Sequence, residues 1–413
     1  FGFFPGVSMG WRISEEKFWK EHVKWMDYFK LRASWGQMGN DKVSAFQYVT
    51  AYTFSNPGVF GANGGKANTG LRLNRTANPN ITWEVADTWN VGIESKFLDY
   101  FNFEGDFFVT KRSNILTARN AAIPEYAGLS LPDENIGKCK SIGTELTLGY
   151  NRQLNKDWGL HLSGNFSYSH GTIDYIDEPA ETLEWQRRTG KTIGTQGSNY
   201  LMYESIGIFR TQDDLDSYPH LSDARVGDVK FRDVNGDKKI DGDDKVRMDK
   251  PAVPEIMYGI NIGTTYKNWS LNMLWQGAAR VWQYTFMEAG IIGNFTKDFY
   301  DNRWTEDNPN AKYPRTYNRD ATVTGGGNYR NSFWLNNASY LRLKSIELAY
   351  NCPKSWFKGT PISGVRLCLT GYNLLTFTGI KNIDPETQEN SQGWAAWNTP
   401  QSKVYNFGIN VTF

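Results

Sequence analysis

Polar and apolar residues alternate along this chain with a period of two, and the pattern is clearest at its end. In KVYNFGINVTF, Tyr405, Phe407, Ile409, Val411 and Phe413 share one face of an extended strand, and Asn406, Gly408, Asn410 and Thr412 share the other. Tyr258, Ile260, Ile262, Thr264 and Tyr266 alternate with Gly259, Asn261, Gly263 and Thr265, and Leu271, Met273 and Trp275 continue after a tight turn at Lys267–Asn268. The same alternation places Leu160, Leu162, Phe166 and Tyr168 on one face, as it does Trp89, Val91, Ile93 and Phe97, and Phe101, Phe103, Phe107 and Val109. A soluble sandwich also alternates in this way, so length has to decide. Several runs reach ten or more residues, the span a tilted strand needs to cross a bilayer.

The pattern predicts eleven crossings, at 5–13, 28–36, 87–97, 101–112, 140–150, 158–170, 256–266, 269–279, 338–351, 363–375 and 403–413. Short connections at 98–100, 151–157, 267–268 and 352–362, with a short and partly helical one at 14–27, alternate with long ones near 37–86, 113–139, 171–255, 280–337 and 376–402. Bacterial barrels keep short turns in the periplasm and long loops outside, and a last strand running inward puts every short turn on the periplasmic side. That parity requires the strand-like YESIGIFR near 203–210 to lie within a long loop. The phase break between Leu343 and Ile346 predicts a β-bulge. Eleven is odd, whereas a bacterial single-chain barrel closes on an even number. It is also half of the 22-stranded class, so half a barrel and a plug are expected upstream of Phe1.

Composition supports membrane strands. Aromatic residues make up 15% of the 413, with 40 glycines, at a mean hydropathy of −0.57; girdles of rings around a polar lumen account for that mixture. No run of eighteen apolar residues exists, so any crossing must be made by strands. Lys+Arg 45 against Asp+Glu 44, without a basic tract, gives no support to nucleic-acid binding. Cys139, Cys352 and Cys368 lack metal or redox spacing and read as structural. The chain starts without Met or a signal peptide, inside a strand pattern, and reads as a piece of a longer one.

FPGVSMGWRISEEKF, FKLRASWGQMGND, ITWEVADTWNVGIESKF, GDVKFRDVNGDKKIDGDD, SYLRLKSIELAYNCP and GYNLLTFTG follow one another in an order that resembles the SusC-like TonB-dependent transporters, the SusC/RagA group of Gram-negative outer membranes. The resemblance runs the length of the chain. It implies an all-β fold, the C-terminal half of a transmembrane antiparallel barrel (residues 1–413) of the 22-stranded TonB-dependent receptor type. It implies an N-terminal plug with a TonB box, a SusD-like lipoprotein over the mouth, and energy from the TonB–ExbB–ExbD complex. The function implied is active import of an oligosaccharide or a peptide across the outer membrane. The aromatic terminus ending at Phe413 likewise resembles the signal read by the barrel-insertion machinery. A passive porin-like or adhesin barrel, and a secreted carbohydrate-binding β-sandwich, are the alternatives.

The sharpest chemical motif lies in the 171–255 connection. In DVNGDKKIDGDD (233–244), Asp233, Asn235, Asp237, Asp241 and Asp244 stand at positions 1, 3, 5, 9 and 12 of an EF-hand-type loop, a spacing that wraps Ca²⁺ or Mg²⁺ in oxygen donors. Lys238 replaces the usual glycine at position 6, and Asp244 replaces the longer glutamate. The other reading is a solvated acidic turn held by Asx hydrogen bonds. Catalysis is not expected: His22, His161, His170 and His220 are scattered, and no nucleophile, zinc or phosphate motif appears. The long loops hold many rings, namely Trp282, Tyr284, Phe286, Phe295, Phe299, Tyr300, Trp304, Trp394 and Trp397. These could stack on sugars, though mutual packing accounts for most of them.

Overall fold

The computed structural model describes residues 2–60, 66–119, 131–286, 296–316, 329–381, 383–387 and 399–413. Its strands are β1 (Gly6–Trp11), β2 (Met26–Asn40), β3 (Ala51–Phe60), β4 (Lys66–Arg75), β5 (Glu84–Phe97), β6 (Phe101–Thr117), β7 (Glu134–Gln153) and β8 (Trp158–Tyr175). They continue as β9 (Leu201–Tyr203), β10 (Ser205–Ile208), β11 (Val229–Phe231), β12 (Lys245–Arg247), β13 (Ile256–Tyr266) and β14 (Trp269–Ala279). The last are β15 (Trp282–Tyr284), β16 (Leu335–Asn337), β17 (Tyr340–Asn351), β18 (Gly364–Thr378) and β19 (Val404–Thr412).

Among the described residues, eleven strands form one sheet in the order β1-β2-β5-β6-β7-β8-β13-β14-β17-β18-β19. Each neighbouring pair is antiparallel and follows sequence order. The sheet is therefore a meander, with all short turns at one end and all long connections at the other. A strand is found at each expected position, but several run further: β2 reaches Asn40, β7 starts at Glu134 and β8 reaches Tyr175. Backbone pairing does not need lipid, so adjacent strands stay zipped beyond the apolar segment that marks them in sequence. A helical turn, α1 (Lys17–His22), fills the first short connection.

Two local features follow from the residues. In the 98–100 turn Leu98 and Asp99 both have positive φ (52° and 61°), as tight hairpin turns require. In β17 the register against β14 passes from Ser345 to Leu343 between the consecutive residues Leu274 and Trp275, so Lys344 is the bulged residue, at the place where the hydrophobic phase breaks.

One face of the sheet leaves large apolar side chains uncovered, including Val91, Phe107, Leu369, Tyr405 and Phe407. At the short-turn end this face carries linked rings: Phe97 stacks on Phe101 at 5.0 Å, Phe101 meets Tyr150 at 4.8 Å, and Trp269 meets Tyr350 at 4.7 Å. Trp35 and Trp89 are cross-strand partners on the same face, further toward the long connections. The eight residue steps from Trp89 to Phe97 cover about 26 Å along a strand, or about 20 Å of height at a tilt of about 40°.

Candidate functional site

The opposite face of the sheet is polar, and one row across it can be followed from register alone. Lys30, Glu94, Glu104, Thr147, Asn165, Gly259, Gln276, Arg342 and Thr376 are successive cross-strand partners. Arg32 binds Glu94 at 2.8 Å and Asp106 at 2.9 Å, while Arg366 binds Glu347 at 2.5 Å. Gly92 makes the first arrangement possible, because a Cβ there would meet Asp106 Oδ1 at 2.5 Å and Arg32 Nη2 at 3.0 Å. Near the short turns this face opens into a recess of about 850 Å³ bordered by Asp27, Tyr28, Glu94 and Glu104. Such a wall suits water and polar solutes and could not face hydrocarbon.

Above the sheet, the connections after β8 and β14 fold together. β9 pairs with β12, β10 with β11, and β15 with β16. Met202, Met248, Tyr284, Phe286, Phe299, Tyr313, Trp334 and Leu335 form a buried core drawn from both connections. The Tyr313 and Trp334 rings lie within 5° of parallel, 6.1 Å apart. Mutual packing thus accounts for most of the loop rings. Tyr284, Phe286, Phe299 and Trp304 are buried, Trp282 packs against the cluster, and Tyr300 is exposed. Phe295, Trp394 and Trp397 lie outside the described residues. YESIGIFR contributes the last residue of β9 and all of β10 to this mouth assembly and takes no part in the large sheet, as the parity requires.

The acidic loop sits on the mouth assembly. Lys238 has φ +67°, so position 6 takes the left-handed conformation of an EF-hand loop without its glycine. Asp233 accepts from Gly236 N (2.7 Å) and Lys238 N (3.0 Å), Asn235 from Asp237 N (3.0 Å), and Asp237 from Lys239 N (2.8 Å). Asp241 accepts from Asp243 N (2.9 Å). The fully buried Asp244 closes the loop, accepting from Val234 N (2.8 Å) and Asp241 N (2.9 Å). Burial first, and then the charges of Tyr329, Asp244 and Asp241, push the neighbouring Tyr203 up to about 12. The donors are hard oxygens with lone pairs to spare, the type a divalent cation takes. Among the described residues, no three carboxylate, imidazole or thiol groups converge as a metal cluster would.

A node that sequence reading missed joins the mouth to the sheet. Arg342 in β17, 3% exposed, binds Asp384 at 2.7 Å, Glu386, and Thr376 Oγ1 at 3.0 Å. Tyr340 donates to Glu386 (2.6 Å), and Lys344 and Gln401 Nε2 also reach that carboxylate, at 2.9 and 2.7 Å. Gln283 in β15 grips the same segment through the Pro385 and Thr387 carbonyls at 2.8 and 2.6 Å. Burial would raise Asp384, but Arg342 and the amides of Gln401 and Glu386 outweigh it and hold the carboxyl below its ordinary range. Residues 383–387 are thus a strap tying β15 to β17. No spacing rule links Arg342 to a carboxylate 42 residues away, so the only sequence hint is an arginine on the polar face beside the bulge.

Tyr405, Phe407, Ile409 and Val411 share one face of β19, pairing with Gly371, Leu369, Leu367 and Val365, and Phe413 is 82% exposed. Among the histidines, His22 bonds the Phe18 carbonyl, His170 bonds Glu255 at 2.7 Å, and His220 bonds the Tyr218 carbonyl.

Comparison with known proteins agrees with this architecture. The family model described as TonB dependent receptor-like, beta-barrel matches residues 1–383. The TonB-dependent receptor P26 of Formosa agariphila is 28% identical over the whole chain, which spans 42% of that protein. The TonB-dependent receptor SusC of Bacteroides thetaiotaomicron is 24% identical, with 40% of its length covered. The RagAB peptide importer in its open-open state superposes over 99% of the chain with a TM-score of 0.73 at 25% identity, and the chain covers 42% of it.

Proposed function

The chain belongs to the TonB dependent receptor-like β-barrel family, placed in the outer membrane of Gram-negative bacteria, and on that premise we propose that it forms half the wall of a 22-stranded transmembrane barrel serving TonB-linked import. The observation that carries this reading is the two-faced meander. One face leaves apolar and aromatic side chains uncovered and meets lipid; the other is lined with ion pairs and lines a lumen. The chain spans about two fifths of its curated relatives, so the remaining strands, a plug and a TonB box belong to the rest of the protein. Energy then comes from the TonB–ExbB–ExbD complex. The cargo is an oligosaccharide or a peptide, and likeness to the RagAB peptide importer supports the second. A SusD-like lipoprotein rests on the mouth assembly as its lid, a pairing supported by the likeness to SusC and RagAB.

The acidic loop takes Ca²⁺ or Mg²⁺ through Asp233, Asn235, Asp237, Asp241 and Asp244 and so stiffens the mouth. The left-handed Lys238, at the position where an EF-hand loop carries its glycine, supports this role. Tyr405 through Phe413 supply the insertion signal.

Uptake by cells expressing the full-length protein tests the proposal. Oligosaccharide and peptide mixtures should be depleted from the medium only when the TonB complex is intact and the proton gradient is maintained. Uptake that survives an uncoupler and loss of TonB would identify a passive porin. Recovery of the full-length protein from the aqueous phase without detergent would identify a secreted sandwich.

A further inference from the structure

On the lipid-facing side, the apolar runs of two neighbouring strands end in register on a lysine. In β6 the run Phe103, Gly105, Phe107, Val109 is followed by Lys111, and in β7 the run Leu148, Leu146, Thr144, Ile142 is followed by Lys140. Lys111 and Lys140 are direct cross-strand partners. Side chains so placed have Cβ atoms about 5 Å apart, and like charges there repel. Neither lysine forms an ion pair among the described residues, and Asp87, next to Lys111 in the same row, does not supply one. Lys111 is exposed and Lys140 partly so. The Lys111 ammonium stands 5.7 Å from the Trp89 ring centroid, in the aromatic row toward the long connections. Below the pair, Phe107 and Leu146 are 51% and 39% exposed.

We propose that Lys111 and Lys140 form a docking site for the phosphate of an outer-leaflet lipid headgroup, whose acyl chain lies along Phe107 and Leu146. A phosphate between the two ammonium groups removes the repulsion that the bare pair carries. An aqueous anion would match the charge alone, whereas a lipid also covers the apolar side chains directly beneath it. The inference rests on the assignment of this face to lipid and of this end to the outside.

Native mass spectrometry of the full-length transporter tests it, using phosphatidic acid as the phosphate-monoester probe against phosphatidylcholine. The unmodified protein should retain phosphatidic acid in preference by about thirtyfold, from two lysines near a charged headgroup. K111A/K140A should lose that preference, and K111R/K140R should keep it, with heat-modifiable mobility confirming that each variant has assembled. An unchanged preference in K111A/K140A overturns the proposal. So does displacement of the lipid by millimolar inorganic phosphate, which would mark a site for free anions. Protein that needs no detergent would defeat the membrane reading itself; detergent-dependent protein without the lysine-dependent preference defeats only this inference.

Discussion

Replacing Arg342 by alanine should release the strap at 383–387 while leaving the sheet intact. The side chains of Arg342, Asp384 and Glu386 are 3%, 5% and 11% exposed, so removing the guanidinium leaves two carboxylates in a site shielded from water. Breaking a buried pair from one side costs about 3–5 kcal/mol. The lower end applies here, because Asp384 keeps the amides of Glu386 and Gln401, and Glu386 keeps Lys344 and Tyr340. The eleven-stranded ladder does not depend on this node, so the strain is relieved where the chain yields most easily, by detachment of the strap. About 3 kcal/mol raises the detached population by roughly a hundredfold. Limited proteolysis of the detergent-purified full-length protein reads that population when cleavage is slow relative to reclosing. R342A should be cut within 383–387 far faster than wild type, with heat-modifiable mobility retained. R342K should be intermediate, because an ammonium cannot fork across two carboxylates and Thr376. Wild-type cleavage kinetics in R342A would refute the reasoning. The sign with pH follows from Asp384, whose folded carboxyl is held below the ordinary range: the strap is fully stabilised at neutral pH and loosens as the medium is acidified through that depressed value.

K238G removes a left-handed non-glycine residue costing about 1 kcal/mol and should tighten Ca²⁺ binding about fivefold by calorimetry; no heat from either protein would leave the acidic loop as a turn. After replacement of Cys139, Cys352 and Cys368, a cysteine at Asn268 should be labelled only from the periplasm and one at Asn308 from outside intact cells. Surface labelling at Asn268 would invert the topology. Deleting Phe413 should lower the amount of assembled barrel more than the few kcal/mol of its burial could explain, and normal assembly would dismiss the terminal signal.

Much of this protein is written locally. Side chains alternate at every residue of a strand, so the apolar face of β5, β6, β13 and β19, the eleven strands of the large sheet and the sorting of short from long turns were legible without coordinates. The bulge at Lys344 showed as a slipped phase, and the acidic loop as a spacing of oxygens. Tertiary structure decided what two-residue periodicity cannot carry. The burial of Tyr284, Phe286 and Phe299 in a mouth core and the strap from Arg342 to Asp384 both join segments whose separation in sequence is arbitrary. The same holds for Lys111 and Lys140, each unremarkable in its own strand, whose opposition exists only once register is set. A strand's pattern fixes which way each side chain points. The partner it meets depends on ladder register and on where long connections come to rest, and both are settled by packing across the whole sheet.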